Sequence, residues 1–235
     1  MTKETLWNGI SLQSAEGVFP LGTDSFLLAD FARPKKGAAI ADLCCGGGAV
    51  GMMLLANDPT ANLLGVELQA QAADLARLNA EENGFADRFT VVHGDVREIR
   101  SLIPANGYTL VTANPPYFPA NNLSPQSDAM ALARTESACP PDALCAAAAW
   151  LLQTGGKFCL VHRPERLAEL IFALKSHKLE PKRLQFVRHK KDSRRSLLLL
   201  EATLEGSSGL TLEEDLILYC DDGTETEACR RIYHR

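Results

Sequence analysis

No apolar run in this 235-residue sequence approaches the roughly 20 residues that a membrane-crossing helix needs. The opening residues, Met1-Thr2-Lys3-Glu4-Thr5, lack the charged-then-apolar layout of a secretory leader. A cytoplasmic protein with no membrane partner is therefore expected. The seven cysteines, at 44, 45, 139, 145, 159, 220 and 229, contain no Cys-x-x-Cys pair and are odd in number. That argues against both a zinc site and a disulfide framework, leaving most of them as small, reduced core residues. There is no internal repeat and no linker-like stretch, and 46% hydrophobic content suits one globular unit. Lysine and arginine are also missing from residues 201–227, where Glu201, Glu205, Glu213, Glu214, Asp215, Asp221, Asp222, Glu225 and Glu227 stand.

Immediately before that acidic stretch the sign reverses. Lys182, Arg183, Arg188, Lys190, Lys191, Arg194 and Arg195 face the single acid Asp192. On a chain of net charge −5 such a segment is either a local nucleic-acid contact or a solvated strand-turn-strand surface. The segments on each side, 182–188 and 196–204, read as two final strands.

The core begins at residue 38, after a short helix expected over residues 25–32 with Thr23 or Asp24 as its cap. Residues 1–20 alternate enough for a small hairpin but carry no assignable chemistry. The apolar strand 38–44 runs through Asp42-Leu43-Cys44-Cys45-Gly46-Gly47-Gly48-Ala49-Val50-Gly51 into an apolar helix. Gly46, Gly48 and Gly51 satisfy Gly-x-Gly-x-x-Gly, a strand-loop-helix pattern that would suit a dinucleotide equally well. A second strand, 62–67, ends on Glu67, at the position where a carboxylate accepts ribose hydroxyls. The third, 89–93, leads to Asp95, which can accept from an adenine amino group, and Val96, which can donate through its backbone. The fourth, 107–113, delivers Asn114-Pro115-Pro116-Tyr117-Phe118 to the same carboxyl edge. Two prolines stiffen this turn, and the Asn114 amide oxygen and Pro115 carbonyl remain as acceptors beside the Tyr117 ring. It is either a proline-rich strand cap or a grip for a planar group with an exocyclic amine. A polar loop or lid is expected over 119–140, then a helix, a fifth strand at 156–162 and an amphipathic helix at 165–177.

Taken as a set, the glycine loop, Glu67, Asp95 and Asn-Pro-Pro-Tyr resemble the class I S-adenosylmethionine-dependent methyltransferases. The resemblance implies a Rossmann-like α/β fold: a seven-stranded, mostly parallel sheet with one antiparallel strand and helices on both faces. It divides the chain into an extension (1–37), a catalytic core (38–204) and an acidic C-terminal extension (205–235). It assigns Asp42, Cys44, Gly46 and Gly48 to the methionine part of S-adenosylmethionine, Glu67 to its ribose and Asp95 with Val96 to its adenine, with Asn114 also beside the cofactor and no metal. The usual pattern is Asp-x-Gly-x-Gly-x-Gly, and Cys44 stands at its first glycine. Gly22-Thr23-Asp24-Ser25-Phe26-Leu27-Leu28-Ala29-Asp30-Phe31 and Ala133-Arg134-Thr135-Glu136 narrow the likeness to the tRNA(Val) adenine-37 N6-methyltransferase family.

That likeness implies methyl transfer to the N6 of an anticodon-loop adenine. Asn114, Pro115 and Tyr117 would be catalytic, Phe118 would stack on the base, and Arg134, Arg188, Lys190, Lys191, Arg194 and Arg195 would contact tRNA. A monomer or weak dimer is expected. The rival enzyme readings are glutamine methylation in a translation factor, which uses the same four-residue motif, and methylation of another DNA or RNA amine. A cofactor-binding module without turnover is the rival from another class. A dehydrogenase would leave Asn-Pro-Pro-Tyr unexplained.

Overall fold

The computed structural model describes residues 2–6, 9–116 and 139–234. The alternating N-terminal stretches form an antiparallel hairpin, β1 (Thr2–Thr5) with β2 (Ser11–Ser14). Helix α1 (Thr23–Ala32) follows, buried along nearly its whole circumference because it packs against strands and helices together. Its N-cap is Gly22, and no side chain caps it. The expectation of a Thr23 or Asp24 cap is thus corrected: both lie inside the first turn, where Asp24 accepts from the Ser25 N–H.

Next come β3 (Ala39–Leu43), α2 (Ala49–Asn57), β4 (Asn62–Glu67), α3 (Ala70–Glu82), β5 (Phe89–His93), α4 (Ile99–Leu102) and β6 (Tyr108–Ala113). After the undescribed residues the chain forms α5 (Pro141–Leu151), β7 (Leu152–His162), α6 (Leu167–Ser176), β8 (Leu179–Arg188) and β9 (Arg195–Leu204). It finishes with β10 (Thr211–Leu212), β11 (Leu216–Ile217) and α7 (Glu227–Ile232).

The main sheet runs β10-β8-β9-β7-β6-β3-β4-β5, with β11 also on the outer edge of β8. Strands β3 to β7 are mutually parallel, and β9 is antiparallel to both β7 and β8. Seven of these strands match the expectation. The two additional ones pair parallel with β8 and are only two residues long, too short to leave a period in the sequence.

Helices α1, α2, α3 and α7 bury one face of the sheet. Helices α4, α5 and α6 bury the other, around a fully enclosed Phe158 whose truncation to alanine would cost roughly 3–5 kcal/mol. Covered on both faces, β3 and β4 need apolar residues at successive positions, which is why they read as continuous runs. The chain steps outward from β3 to β4 and β5, then returns to place β6 on the other side of β3. That reversal opens a crevice at the carboxyl ends of β3 and β6, where open α/β sheets bind ligands.

Candidate active site

A cavity of about 460 Å³ occupies this crevice. Its walls include Asp42, Cys44, Gly46, Glu67, Asp95, Val96, Asn114 and Pro115, so four separate strand ends converge on one space.

Asp42 lies on β3 in register with Thr112 on β6, and the Thr112 hydroxyl donates to its Oδ1 at 2.7 Å. The other oxygen, Oδ2, is buried and meets no donor within hydrogen-bond distance among the described residues. Burial pushes the Asp42 carboxyl from 3.8 up to about 7; the negative Glu67 adds to the rise and the Thr112 bond opposes it. Glu67 is 8% exposed, and its carboxyl is also raised, chiefly by burial. Its Oε2 accepts from the Gly46 N–H and its Oε1 from the Gln69 N–H, each at 2.9 Å. A carboxylate offers about four acceptor positions, so both oxygens retain capacity for hydroxyl donors.

Cys44 adopts φ +58°, the left-handed conformation that the usual glycine would take. Its thiol is held well above the ordinary range by a hydrogen bond with Cys139 and by burial. Gly46 lines the cavity, and the space beside it is open where a side chain would begin. Gly48, expected to touch the cofactor, does not line the cavity. At φ +87° a Cβ there would come within 2.9 Å of both Met52 and Phe89, so this glycine seats the loop on α2 and β5.

Asp95 is held by a neighbour that the motif did not include. Arg97 donates to it from its backbone N–H at 2.8 Å, and its guanidinium closes on both carboxylate oxygens. These bonds hold the Asp95 carboxyl below its ordinary value. An adenine amino group would therefore share this acceptor with Arg97. Asn114 leaves β6 and donates from Nδ2 to the Ser25 hydroxyl of α1 at 3.5 Å; its Oδ1 takes no donor among the described residues. Pro115 is buried and Pro116 half-buried. Tyr117, Phe118 and Arg134 lie outside the described residues.

The β8–β9 turn rises from the same carboxyl edge as the cavity, because β8 is parallel to β7 and separated from it by β9 alone. Fold pairing divides its cations. Asp215 accepts from Arg188 Nε at 2.5 Å and from Arg195 Nε at 3.1 Å. Arg188 also donates to the Ser193 carbonyl, Arg195 stacks over Phe186, and Lys190 donates to the Asp221 carbonyl. Lys191 and Arg194 are exposed and take no partner among the described residues.

The residues present fit S-adenosylmethionine. The unpartnered Asp42 oxygen, the open face of Gly46 and the spare acceptors of Glu67 suit an ammonium, a methionyl chain and a ribose in turn. Among the described residues, no helix is long and apolar enough to cross a membrane.

Residues 10–178 match the methyltransferase small domain family. A tRNA1(Val) (adenine(37)-N6)-methyltransferase of Porphyromonas gingivalis is 31% identical over 183 residues, covering 74% of this chain and 71% of its own. Another protein of that name, from Yersinia pestis, is 30% identical over 218 residues, covering 90% and 85%. The crystal structure of a protein described as a predicted O-methyltransferase, from Agrobacterium tumefaciens, aligns with a TM-score of 0.76. At 22% identity, over 90% of this chain and 96% of the other, it shares the fold.

Proposed function

This chain belongs to the methyltransferase small domain family, and on that premise we propose that it methylates the exocyclic N6 of a tRNA adenine, the anticodon-loop adenine at position 37. The observation that carries this reading is the meeting of Asn114 and Pro115 with Asp42, Glu67 and Asp95 on one cavity. The substrate follows from the names of the relatives. S-adenosylmethionine, when bound, supplies an electrophilic methyl carbon. Asp42 and the 44–47 loop hold its methionine part, Glu67 its ribose and Asp95 with Val96 its adenine.

The chain's remaining task is to make a poor nucleophile react. An adenine amino group conjugates its lone pair into the ring. With its two hydrogens accepted by Asn114 Oδ1 and the Pro115 carbonyl, the nitrogen becomes more tetrahedral and the lone pair is freed. In this arrangement Asn114 Nδ2 faces the Ser25 hydroxyl at 3.5 Å and its Oδ1 is the acceptor for the adenine amine. Positioning and hydrogen bonding carry such a transfer, and the nitrogen's displaced proton passes to water. Tyr117 and Phe118 supply stacking faces in this proposal, at roughly 1–3 kcal/mol per base, which offsets part of the cost of extruding the adenine. Arg134, Lys191 and Arg194 contact the RNA backbone. Every proposed residue comes from one chain, so a monomer or weak dimer in the cytoplasm suffices.

Incubation with labelled S-adenosylmethionine and unmodified tRNA, followed by digestion to nucleosides, should yield labelled N6-methyladenosine. The same incubation with total cell protein should yield none. Label in protein alone would replace this reading with glutamine methylation.

A further inference from the structure

The hairpin and the glycine loop are distant in sequence, yet one buried side chain bonds to both. Thr2, Lys3 and Glu4 of β1, and Leu12, Gln13 and Ser14 of β2, line the cavity, so the hairpin forms part of its cover. The outward edge of β2 would leave the backbone groups of Ser11 and Gln13 unpaired. Helix α3 satisfies them with two asparagines one turn apart. Asn83 accepts from the Ser11 N–H at 2.8 Å and donates to the Ser11 carbonyl at 2.7 Å. Asn79 does the same for Gln13, at 2.8 and 3.1 Å. Their further bonds differ: Asn79 Nδ2 also donates to the Gly47 carbonyl at 3.0 Å, whereas Asn83 Nδ2 donates to the Asn79 carbonyl at 2.7 Å and to Met52 Sδ at 3.8 Å. Asn79 is 1% exposed, and both amide atoms are engaged.

We propose that Asn79 is a positioning residue for cofactor binding, coupling the seating of the β1–β2 hairpin to the backbone orientation of the glycine loop. A carboxamide is required, because a single planar group must accept one backbone N–H and donate to two carbonyls. Gly47 stands between Gly46, whose N–H is held by Glu67, and Gly48, whose N–H donates to the Cys45 carbonyl. Fixing the Gly47 carbonyl therefore sets the peptide planes that face the methionine part of the cavity. When the hairpin lifts, Asn79 loses two of its three bonds and its hold on Gly47 loosens. Cover and cradle then open together. Asn83 is the internal comparison, since it grips the same strand without contacting the glycine loop.

The inference rests on the cofactor assignment, and binding of S-adenosylhomocysteine by the full-length wild type checks that assignment separately. Asn79→Ala and Asn83→Ala are compared by calorimetric titration with S-adenosylhomocysteine and by melting temperature. Both should lower the melting temperature. Asn79→Ala should weaken binding by about tenfold or more, and Asn83→Ala by no more than about threefold. Gln13→Pro removes the hairpin's backbone donor to Asn79, with the side-chain bond to Glu82, while leaving Asn79 itself in place; the lost N–H faces α3 and not β1, so the ladder with β1 is kept. It should weaken binding by about threefold or more, and it keeps the test decisive should Asn79→Ala not fold. Backbone hydrogen exchange at Gly48 should accelerate in Asn79→Ala but not in Asn83→Ala. Equal loss of affinity in the two asparagine variants, or a Gln13→Pro protein that binds as wild type does, would overturn the coupling. Failure of the wild type to bind would instead remove the cofactor assignment.

Discussion

Thr112 donates to Asp42 across the β3–β6 rung, and this is the one side-chain hydrogen bond that favours the charged form of a carboxyl otherwise held near neutrality by burial. The cofactor's α-ammonium, assigned to this end of the cavity, favours the same charged form. Affinity for S-adenosylhomocysteine should therefore strengthen as pH rises from about 5.5 to 7.5, approaching tenfold per pH unit below the Asp42 value of about 7. Thr112→Val should move Asp42 higher still and weaken binding about fivefold at pH 7, with a smaller deficit at pH 8. Titration calorimetry at four pH values checks both. A dissociation constant independent of pH would remove Asp42 from the cofactor's ammonium.

The two left-handed glycines of the loop should separate by phenotype. Gly48→Ala meets Met52 and Phe89 at 2.9 Å and should destabilise the fold by about 1–3 kcal/mol, with S-adenosylhomocysteine affinity close to wild type in whatever folds. Gly46→Ala meets nothing in the protein. It should cost about 1 kcal/mol of left-handed strain but weaken cofactor binding at least tenfold, because the new methyl enters the cavity. Denaturant midpoints and calorimetry on the pair distinguish packing from binding.

Because Asp215 holds Arg188 and Arg195, the cations of the β8–β9 turn should not contribute equally to RNA affinity. Lys191→Ala with Arg194→Ala should weaken tRNA binding, make the log–log salt slope shallower by about 1–2 and leave the melting temperature unchanged. Arg188→Ala also strips a donor from the Ser193 carbonyl, and should destabilise by about 1–3 kcal/mol. Filter binding across a salt series, set beside thermal melts, tests the division.

Stability against pH should reveal two opposed groups. The Asp42 value in the fold, about 7, lies above its ordinary 3.8, so the folded state binds the extra proton between those limits. Its contribution is fully present below pH 3.8 and is lost as pH rises through about 7. The difference is on the order of 4 kcal/mol. His162, buried at the end of β7, is depressed from 6.5 to about 4 by burial and the nearby Arg166, so the unfolded state binds the extra proton there. Its effect is the reverse: stability falls as pH drops from 6.5 towards 4. The two nearly cancel across that window. Asp42→Asn should therefore make stability climb with pH between 4.5 and 6.5, and His162→Asn should make it decline. Each slope should differ from wild type by up to about 1.4 kcal/mol per pH unit in urea titrations.

What was legible in the sequence was local. The strand-loop-helix unit at 39–57, Glu67 at the tip of β4 and Asn114 at the tip of β6 lie within short windows whose apolar runs and glycines mark them. The methyltransferase fold follows from those windows and their order. Less legible were relations that exist only once the sheet is assembled. Thr112 finds Asp42, and Asn79 finds Gln13, through pairings 70 and 66 residues apart. The period of α3 puts Asn79 on the buried stripe with Ala72, Leu75 and Ala76, but it does not say which strand or loop the amide meets. Charge along the chain likewise does not show which residues pair. The basic and acidic stretches are separate along the chain, but β10 and β11 bring Glu213 and Asp215 back onto Arg183, Arg188 and Arg195. Cys44 shows the opposite case: a departure from the usual glycine is accommodated at φ +58°, with the loop intact.

The pairing of β10 and β11 with β8 bears on how these molecules behave in company. A ten-residue strand at the flank of a sheet is a template onto which another chain's strand can be added. Here that flank is occupied in two short places, beside Arg183–Leu184 and beside Val187–Arg188, and Glu213, Glu214 and Asp215 stand between them. A foreign strand would have to displace the tail and bring its own backbone against those carboxylates. The chain's own tail thus covers the flank of β8 onto which a second chain's strand could otherwise add. Because the same residues carry α7 and the buried Leu216, Leu218, Cys229 and Ile232, trimming them away should lower the melting temperature and raise turbidity together.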